Sequence, residues 1–354
     1  MSGRTQWIES AAYDLPLISL APLLGLLIAA LAYAVGEKTL LAAFFVEANF
    51  FVLGMPHYLS TYVFYFDDEN VRYHSTRKFA FYGGPLIVLA VLTAAMALHL
   101  FLVVAAAVAV WNVFHVSRQS SGILAVYRHR AGGNHPIEKL PATIGLLAAN
   151  SAMFLINAAQ QNLRGIPRLM GPLIQMGGFV LLIVAGVFLG LLVVRMGRRG
   201  AAMSEWIFLV SSVLLFAPYL FIRDLTLATT AMLSGHFVQY LGLVWLINHR
   251  KYAQRGASFR ERALAAVSQN AATVLATVAV FAIVPLTLDR FVHAFHLMAF
   301  HAWWLNATVL LHFYLDGLFW AFRDPHVRRS LGPFLIPQRQ SRVPFETNPI
   351  VAAS

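Results

Sequence analysis

The chain consists largely of apolar runs that reach the roughly 20 residues a helix needs to cross a bilayer, and no other feature limits its folding so strongly. Within hydrocarbon every backbone N–H and C=O must find its partner inside the segment, so runs of this length read as helices. The expected fold is all-α, a polytopic integral membrane protein. Composition agrees, with 59% of the 354 residues hydrophobic and 12% charged. The chain has no cysteine, which excludes disulfides, thiolate metal sites and thiol catalysis.

About ten transmembrane helices are expected, at 15–35, 40–65, 79–97, 100–127, 141–162, 171–195, 204–222, 225–248, 264–287 and 291–322. The third and fourth are nearly continuous and divide at His99, because one helix through 79–127 is far too long for a membrane. The first run ends in Ala30-Leu31-Ala32-Tyr33-Ala34, similar to a signal-peptidase site. Glu9 and Asp14 before it, with little basic charge, favour an uncleaved first helix.

Charge bias supports the same count. With the N-terminus inside, all but six of the 26 Lys and Arg residues fall in inside segments; the exceptions are Lys38, Arg164, Arg168, Arg223 and Arg290 outside and Arg118 within a span. This alternation predicts a multi-pass protein of the cell inner (cytoplasmic) membrane with both termini cytoplasmic. The net charge of +11 sits in short clusters between apolar runs, where it orients the chain and meets anionic lipid at the cytoplasmic face; nucleic-acid binding is not expected. Residues 1–322 read as a single transmembrane helical domain and 323–354 as a cytoplasmic C-terminal tail punctuated by prolines. Oligomeric state is not legible.

Four histidines, His57, His115, His236 and His312, fall on spans two, four, eight and ten, all running from outside to inside. Each lies about 9 to 13 residues before the inner end of its span, which places all four in one slab some 14–20 Å deep at about 1.5 Å per residue. Each has a polar neighbour four positions on, which shares its helix face: Thr61, Gln119, Tyr240 and Asp316. Polar groups are costly in hydrocarbon, so four at matched depth point to a functional site. His301 lies on nearly the same face as His312 and is expected to line an entry route or form a second polar layer with Asn306 or Glu47. His293 and His296 read as interfacial, and Arg118 as a residue reaching for the membrane surface or for Asp316.

Several neutral imidazoles beside one carboxylate suit a transition metal, and with open coordination positions they suit non-haem iron and oxygen chemistry. Asp316 would be either a ligand or the group that orients His312. Tyr240 and Gln119 are the further candidates for catalysis. The chain lacks HExxH, GxSxG, Walker and dinucleotide motifs, leaving no support for a zinc protease, a serine hydrolase or a nucleotide-driven machine.

Gly54-Met55-Pro56-His57 resembles the Gly-x-Pro-His element of the Brp/Blh family of membrane β-carotene dioxygenases. The order of His115, His236 and His312, the last followed closely by Asp316, is similar too. The departures are His115-Val116-Ser117, where that family follows histidine with Phe-Gly, Tyr240 in place of a second histidine, and a final His-to-Asp interval one residue shorter. The resemblance implies iron held between helices, with His57, His115, His236 and His312 as the metal set.

The expected activity is therefore a histidine-metal oxygenase acting on an apolar, membrane-soluble lipid or isoprenoid, with Phe51, Phe114, Phe237 and Phe313 walling the reaction from water. Two alternatives stand beside it. The pairs His115/His129, His236/His249 and His312/His326 have the spacing of a haem-binding electron-transfer protein. Intramembrane histidines also serve proton- or metal-coupled transporters.

Overall fold

A computed structural model describes residues 6–65, 67–133, 135–161, 170–253 and 258–336, and among these all regular structure is helical, with no strand. The helices central to the argument are α1 (Pro22–Val35), α2 (Leu40–Tyr65), α3 (Phe79–Ala97), α4 (Phe101–Arg130), α5 (Pro136–Ala159), α6 (Met170–Arg198), α7 (Met203–Phe221), α8 (Leu225–Tyr252), α9 (Ala271–Ala294) and α10 (Met298–Phe319). Eight of them, α2 to α9, are each long and apolar enough to cross a membrane. Counting α1 with the segment Ala11–Ser19, from which it is bent by 48°, gives a ninth. Helix α10 spans 22 residues but is less apolar, because His301, Asn306, His312 and Asp316 interrupt it. Of these, His301, His312 and Asp316 carry chemistry below.

Burial separates a central helix from peripheral ones. In α8, 78% of the most apolar stretch is buried within the protein, against 17% in α6 and 11% in α9. Leu173, Phe179, Ile183 and Leu191 leave α6 apolar and exposed, as a lipid-facing helix requires. Helix α8 owes its central place partly to small residues. A Cβ added at Gly235 would lie 2.9 Å from the Ala21 carbonyl oxygen, so only glycine lets the backbones meet there.

Prolines set two local irregularities that matter for the site. Pro56 has no N–H, and the turn before it, Phe50–Gly54, opens into a π-helix whose end places His57 one turn further on. Pro85 likewise follows the π-turn Phe79–Gly83. It leaves the carbonyls of Ala80 and Phe81 without a following amide, and the hydroxyls of Tyr314 and Tyr65 donate to them at 2.8 and 3.0 Å. Those two bonds tie α3 to α10 and α2.

One end of the bundle is held by buried charge. Lys251 Nζ lies 3.0 Å from Asp67 Oδ2, while Arg128 and Arg199 meet Glu138 at 3.0 and 2.7 Å. The C-terminal ends of α2, α4, α6 and α8 thus share a side with the start of α5, as alternating spans demand. Val327, Leu331 and Leu335 join the same core as Ile8, Phe64 and Phe319, so the first part of the tail packs against the helical domain. Residues 337–354 of the expected tail lie outside the described residues.

Three boundaries differ from expectation, one of them the start of the tenth span: residues 291–294, expected in it, close α9, and α10 begins at Met298. The run anticipated at 264–287 is two helices, Phe259–Ser268 and α9, because Asn270 caps α9 by accepting from the Thr273 amide at 2.9 Å. The loop 66–78 contains the helix Asp68–Thr76, capped by Asp67.

Candidate metal centre

The site lies where α2, α4, α8 and α10 face one another. His57, His236, His312 and Asp316 are buried, and the His115 side chain is 9% exposed. His57, His115 and His312 each offer one ring nitrogen, and the three atoms lie within 4.8 Å of one another. His57 Nε2 and His312 Nε2 are 3.0 Å apart. His236 stands beside them, its ring 4.8 Å from that of His57 and 5.6 Å from that of His115, but outside this set of three donors. The matched depth read from the sequence thus brings all four rings together.

A hydroxyl network fixes the tautomer of His312. Asp316 Oδ1 accepts from Tyr240 Oη at 2.7 Å and from Thr61 Oγ1 at 2.9 Å. With its only proton donated to the carboxylate, Thr61 Oγ1 receives the proton of His312 Nδ1 at 2.7 Å. The lone pair of His312 is then on Nε2, the atom facing His57. Asp316 acts through both oxygens: Oδ1 anchors the network, while Oδ2 has no hydrogen-bond partner and lies 3.8 Å from His312 Nε2 and 3.9 Å from His115 Nε2.

Other donors are also left unpartnered. His57 Nδ1, His115 Nε2, His236 Nδ1 and Gln119 Nε2 are buried without a hydrogen bond. Buried polar atoms are almost always paired, so His115 Nε2 and Asp316 Oδ2, both unpartnered and 3.9 Å apart, call for a bound species. The geometry at the His57 and His312 nitrogens fits a metal. Two donors on one ion with bonds of about 2.0–2.1 Å stand about 3.0–3.4 Å apart.

The aromatic residues divide. Phe237 packs on His57 at 4.8 Å between ring centroids, and Phe313 on His115 at 4.9 Å. Phe51 is buried with Met55, Tyr58, Phe237 and Trp304. Phe114, expected in this wall, is 48% exposed and points away from the centre. Phe114 lies about 100° around the axis from His115 and falls on the exposed side of α4, whereas Phe237 and Phe313, equally adjacent to His236 and His312, fall on buried sides of α8 and α10. Beyond Phe51 and Phe237 lies a cavity of about 560 Å³ that Phe50, Leu233 and Leu305 also line.

The second histidine of each haem-type pair goes elsewhere. His129 is exposed, His249 meets the Ser268 carbonyl at 3.2 Å, and His326 meets Asn70 at 2.7 Å while stacking on Tyr73. Arg118 is exposed and takes no part in the site. Thr61, the junction of the network, had only its spacing from His57 to mark it. His301 meets neither of its expected partners: Asn306 donates to the Ala302 carbonyl, Glu47 pairs with Arg290, and His301 Nε2 lies 2.6 Å from Asp289 Oδ1.

In comparisons with known proteins, no family model, curated protein or solved structure matches the chain, so the meaning of the site rests on its own geometry.

Proposed function

We propose that the chain is a membrane-embedded, metal-dependent oxygenase, with a non-haem iron held by His57, His115, His312 and, alongside them, His236. The observation that carries this reading is three histidine nitrogens within 4.8 Å of one another, from His57, His115 and His312, with His312 Nε2 3.0 Å from His57 Nε2 and Asp316 Oδ2 unpartnered to one side. A proton shared between the two imidazoles of His57 and His312 would account for their contact alone, whereas a cation accounts for the three histidine nitrogens together. Histidines with one carboxylate and no thiolate favour iron among the transition metals that activate oxygen. When bound, the metal supplies oxygen activation, and the protein supplies everything else.

Thr61 and Tyr240 hold Asp316 and, through Thr61, hold the His312 ring with its acceptor nitrogen inward. Phe237 and Phe313 cover the rings and exclude water, which strengthens every electrostatic contact at the centre. The substrate is an apolar lipid or isoprenoid that approaches through the 560 Å³ cavity, whose size suits a small ligand, with Phe237 between it and His57. Oxygenation, hydroxylation and oxidative cleavage all fit such a wall. The resemblance to the Brp/Blh family around Gly54-Met55-Pro56-His57 supports the same class of chemistry. The chain is read as ten spans with cytoplasmic termini in the inner membrane, α10 being the tenth, and its basic inner face meets anionic lipid.

Elemental analysis of the purified, detergent-solubilised protein tests the reading. Near one equivalent of iron, lost in His57→Ala and His312→Ala, is expected. Metal-free protein that still oxygenates an apolar substrate would overturn it. An absorption spectrum without a Soret band is expected from the same sample, and a strong one would replace this reading with haem electron transfer.

A further inference from the structure

The last turn of α9 and the first turn of α10 carry a second group of donors at the opposite end of the bundle from Asp67 and Lys251. Asp289 and His293 share a face at i and i+4. The chain reverses through Phe295-His296-Leu297, with His296 in the left-handed region at φ +55°, and returns His301 to Asp289. One donor atom from each of Asp289, His293 and His301 lies within 4.8 Å of the others.

The carboxylate is in an unusual position. Asp289 is 4% exposed, in an apolar helix that is otherwise peripheral. Its Oδ1 is 2.6 Å from His301 Nε2, yet the pair is not aligned as a hydrogen bond and the oxygen has no hydrogen-bond partner. Its Oδ2 is 3.6 Å from His293 Nδ1, which also meets the Asp289 carbonyl oxygen at 3.0 Å and would exchange that contact for the ion, and the two imidazoles are 4.6 Å apart between centroids. Leaving a buried carboxylate without hydrogen bonds is costly. A cation between three such donors would remove that cost, and donors on one tetrahedral ion stand about 3.4 Å apart, between the two distances observed.

All three residues line the 560 Å³ cavity, with Glu47, Asn49 and Thr230 on its other walls. Arg290 pairs with Glu47 and so fixes α9 against α2 beside the cluster. The cavity side of the three donors is open, so a fourth position is free for water or a ligand. Eleven residues separate His301 from His312 on α10, about 16 Å along the helix axis, too far for one ion to serve both.

We propose that Asp289, His293 and His301 form a second site, independent of the central histidines, for one divalent transition-metal ion of the zinc type. Two imidazoles, one carboxylate and an open position facing a cavity are the donor set of a zinc site that keeps a water. The ion would join α9 to α10 where both helices line the cavity.

Zinc titration of the full-length protein in detergent tests this, with bound zinc counted by elemental analysis after gel filtration. One equivalent is expected to bind to wild-type protein and to His312→Ala, and to be lost in the double variant His293→Gln/His301→Gln. Retention in the double variant overturns the proposal and leaves the cluster a packing contact. If the double variant fails to elute as folded protein, His293→Gln alone decides, since its side chain is 42% exposed. Zinc binding weakened by about tenfold or more supports the site, and unchanged affinity overturns it. Because His312→Ala is scored separately, failure of the central iron site and failure of this one give different patterns.

Discussion

Helix α10 carries two histidine–aspartate pairs, and they differ in every respect that decides what such a pair can do. His312 takes its carboxylate from its own helix one turn on, and that carboxylate is locked by two hydroxyls from α2 and α8. His301 takes its carboxylate from α9, with no hydroxyl supporting it and with the cavity alongside. The first pair is sealed among aromatic rings, and its geometry is set before any ligand arrives. The second stands at a hairpin whose outer histidine is half exposed, where solvent ions have direct access. Preorganisation therefore belongs to the central set and accessibility to the outer one.

Removing a central donor should produce the larger failure. His57→Ala is expected to abolish iron binding altogether while zinc binding at the outer cluster persists; loss of both together would show that the pairs are not separate. Thr61→Val comes next. It leaves His312 Nδ1 and one bond to Asp316 unsatisfied, and should reduce iron affinity about 10- to 100-fold and stability by about 1–3 kcal/mol, measured by metal competition and thermal unfolding in detergent. If Thr61→Val leaves affinity unchanged, the hydroxyl network does not orient the ring.

Acid should affect the opposite end of the bundle before either pair is tested. Burial raises the Asp67 carboxyl, but the Lys251 ammonium and the Tyr252 hydroxyl outweigh it and hold the group below the ordinary carboxylate value. Burial, reinforced by His326, pushes His74 down to about 4. Both shifts are depressions, so both contributions are present at neutral pH and are lost as pH falls. His74 acts between its unfolded value of about 6.5 and about 4, and Asp67 below about 4. Thermal stability should therefore decline from pH 6.5 downward, and His74→Phe should flatten the upper part of that decline; an unchanged slope in that variant would remove His74 as its cause. The smallest effect is expected from His293→Gln, which should change stability by less than about 1 kcal/mol, because its side chain is 42% exposed and stands 3.6 Å from the Asp289 carboxylate. A loss of several kcal/mol there would make the outer pair structural.

Much of the central site was legible in advance, and the reason is geometric. Helical rise converts sequence position into depth, so His57, His115, His236 and His312 could be placed in one layer without knowing how the helices pack. The i+4 rule likewise found Thr61, Tyr240 and Asp316. Rotation of each helix about its axis was not legible, which is why Phe114 was placed on the wrong side. Partners on different helices were also hidden. Nothing in the local sequence distinguishes Asp289 from an interfacial aspartate until the hairpin brings His301 back to it. The start of α9 was misread for another reason: apolar Ala263–Val267 and α9 have similar hydropathy, and only the cap at Asn270 separates them.

The sequence by itself determined an all-helical chain, long apolar helices, alternating charge and a layer of histidines at one depth, because each of these depends on spacing along a single helix. Tertiary structure alone decided which ring nitrogens face the centre, that Thr61 joins His312 to Asp316, and that His301 belongs with Asp289. Those facts depend on how neighbouring helices are turned toward each other, which close packing and the pairing of buried polar groups settle together.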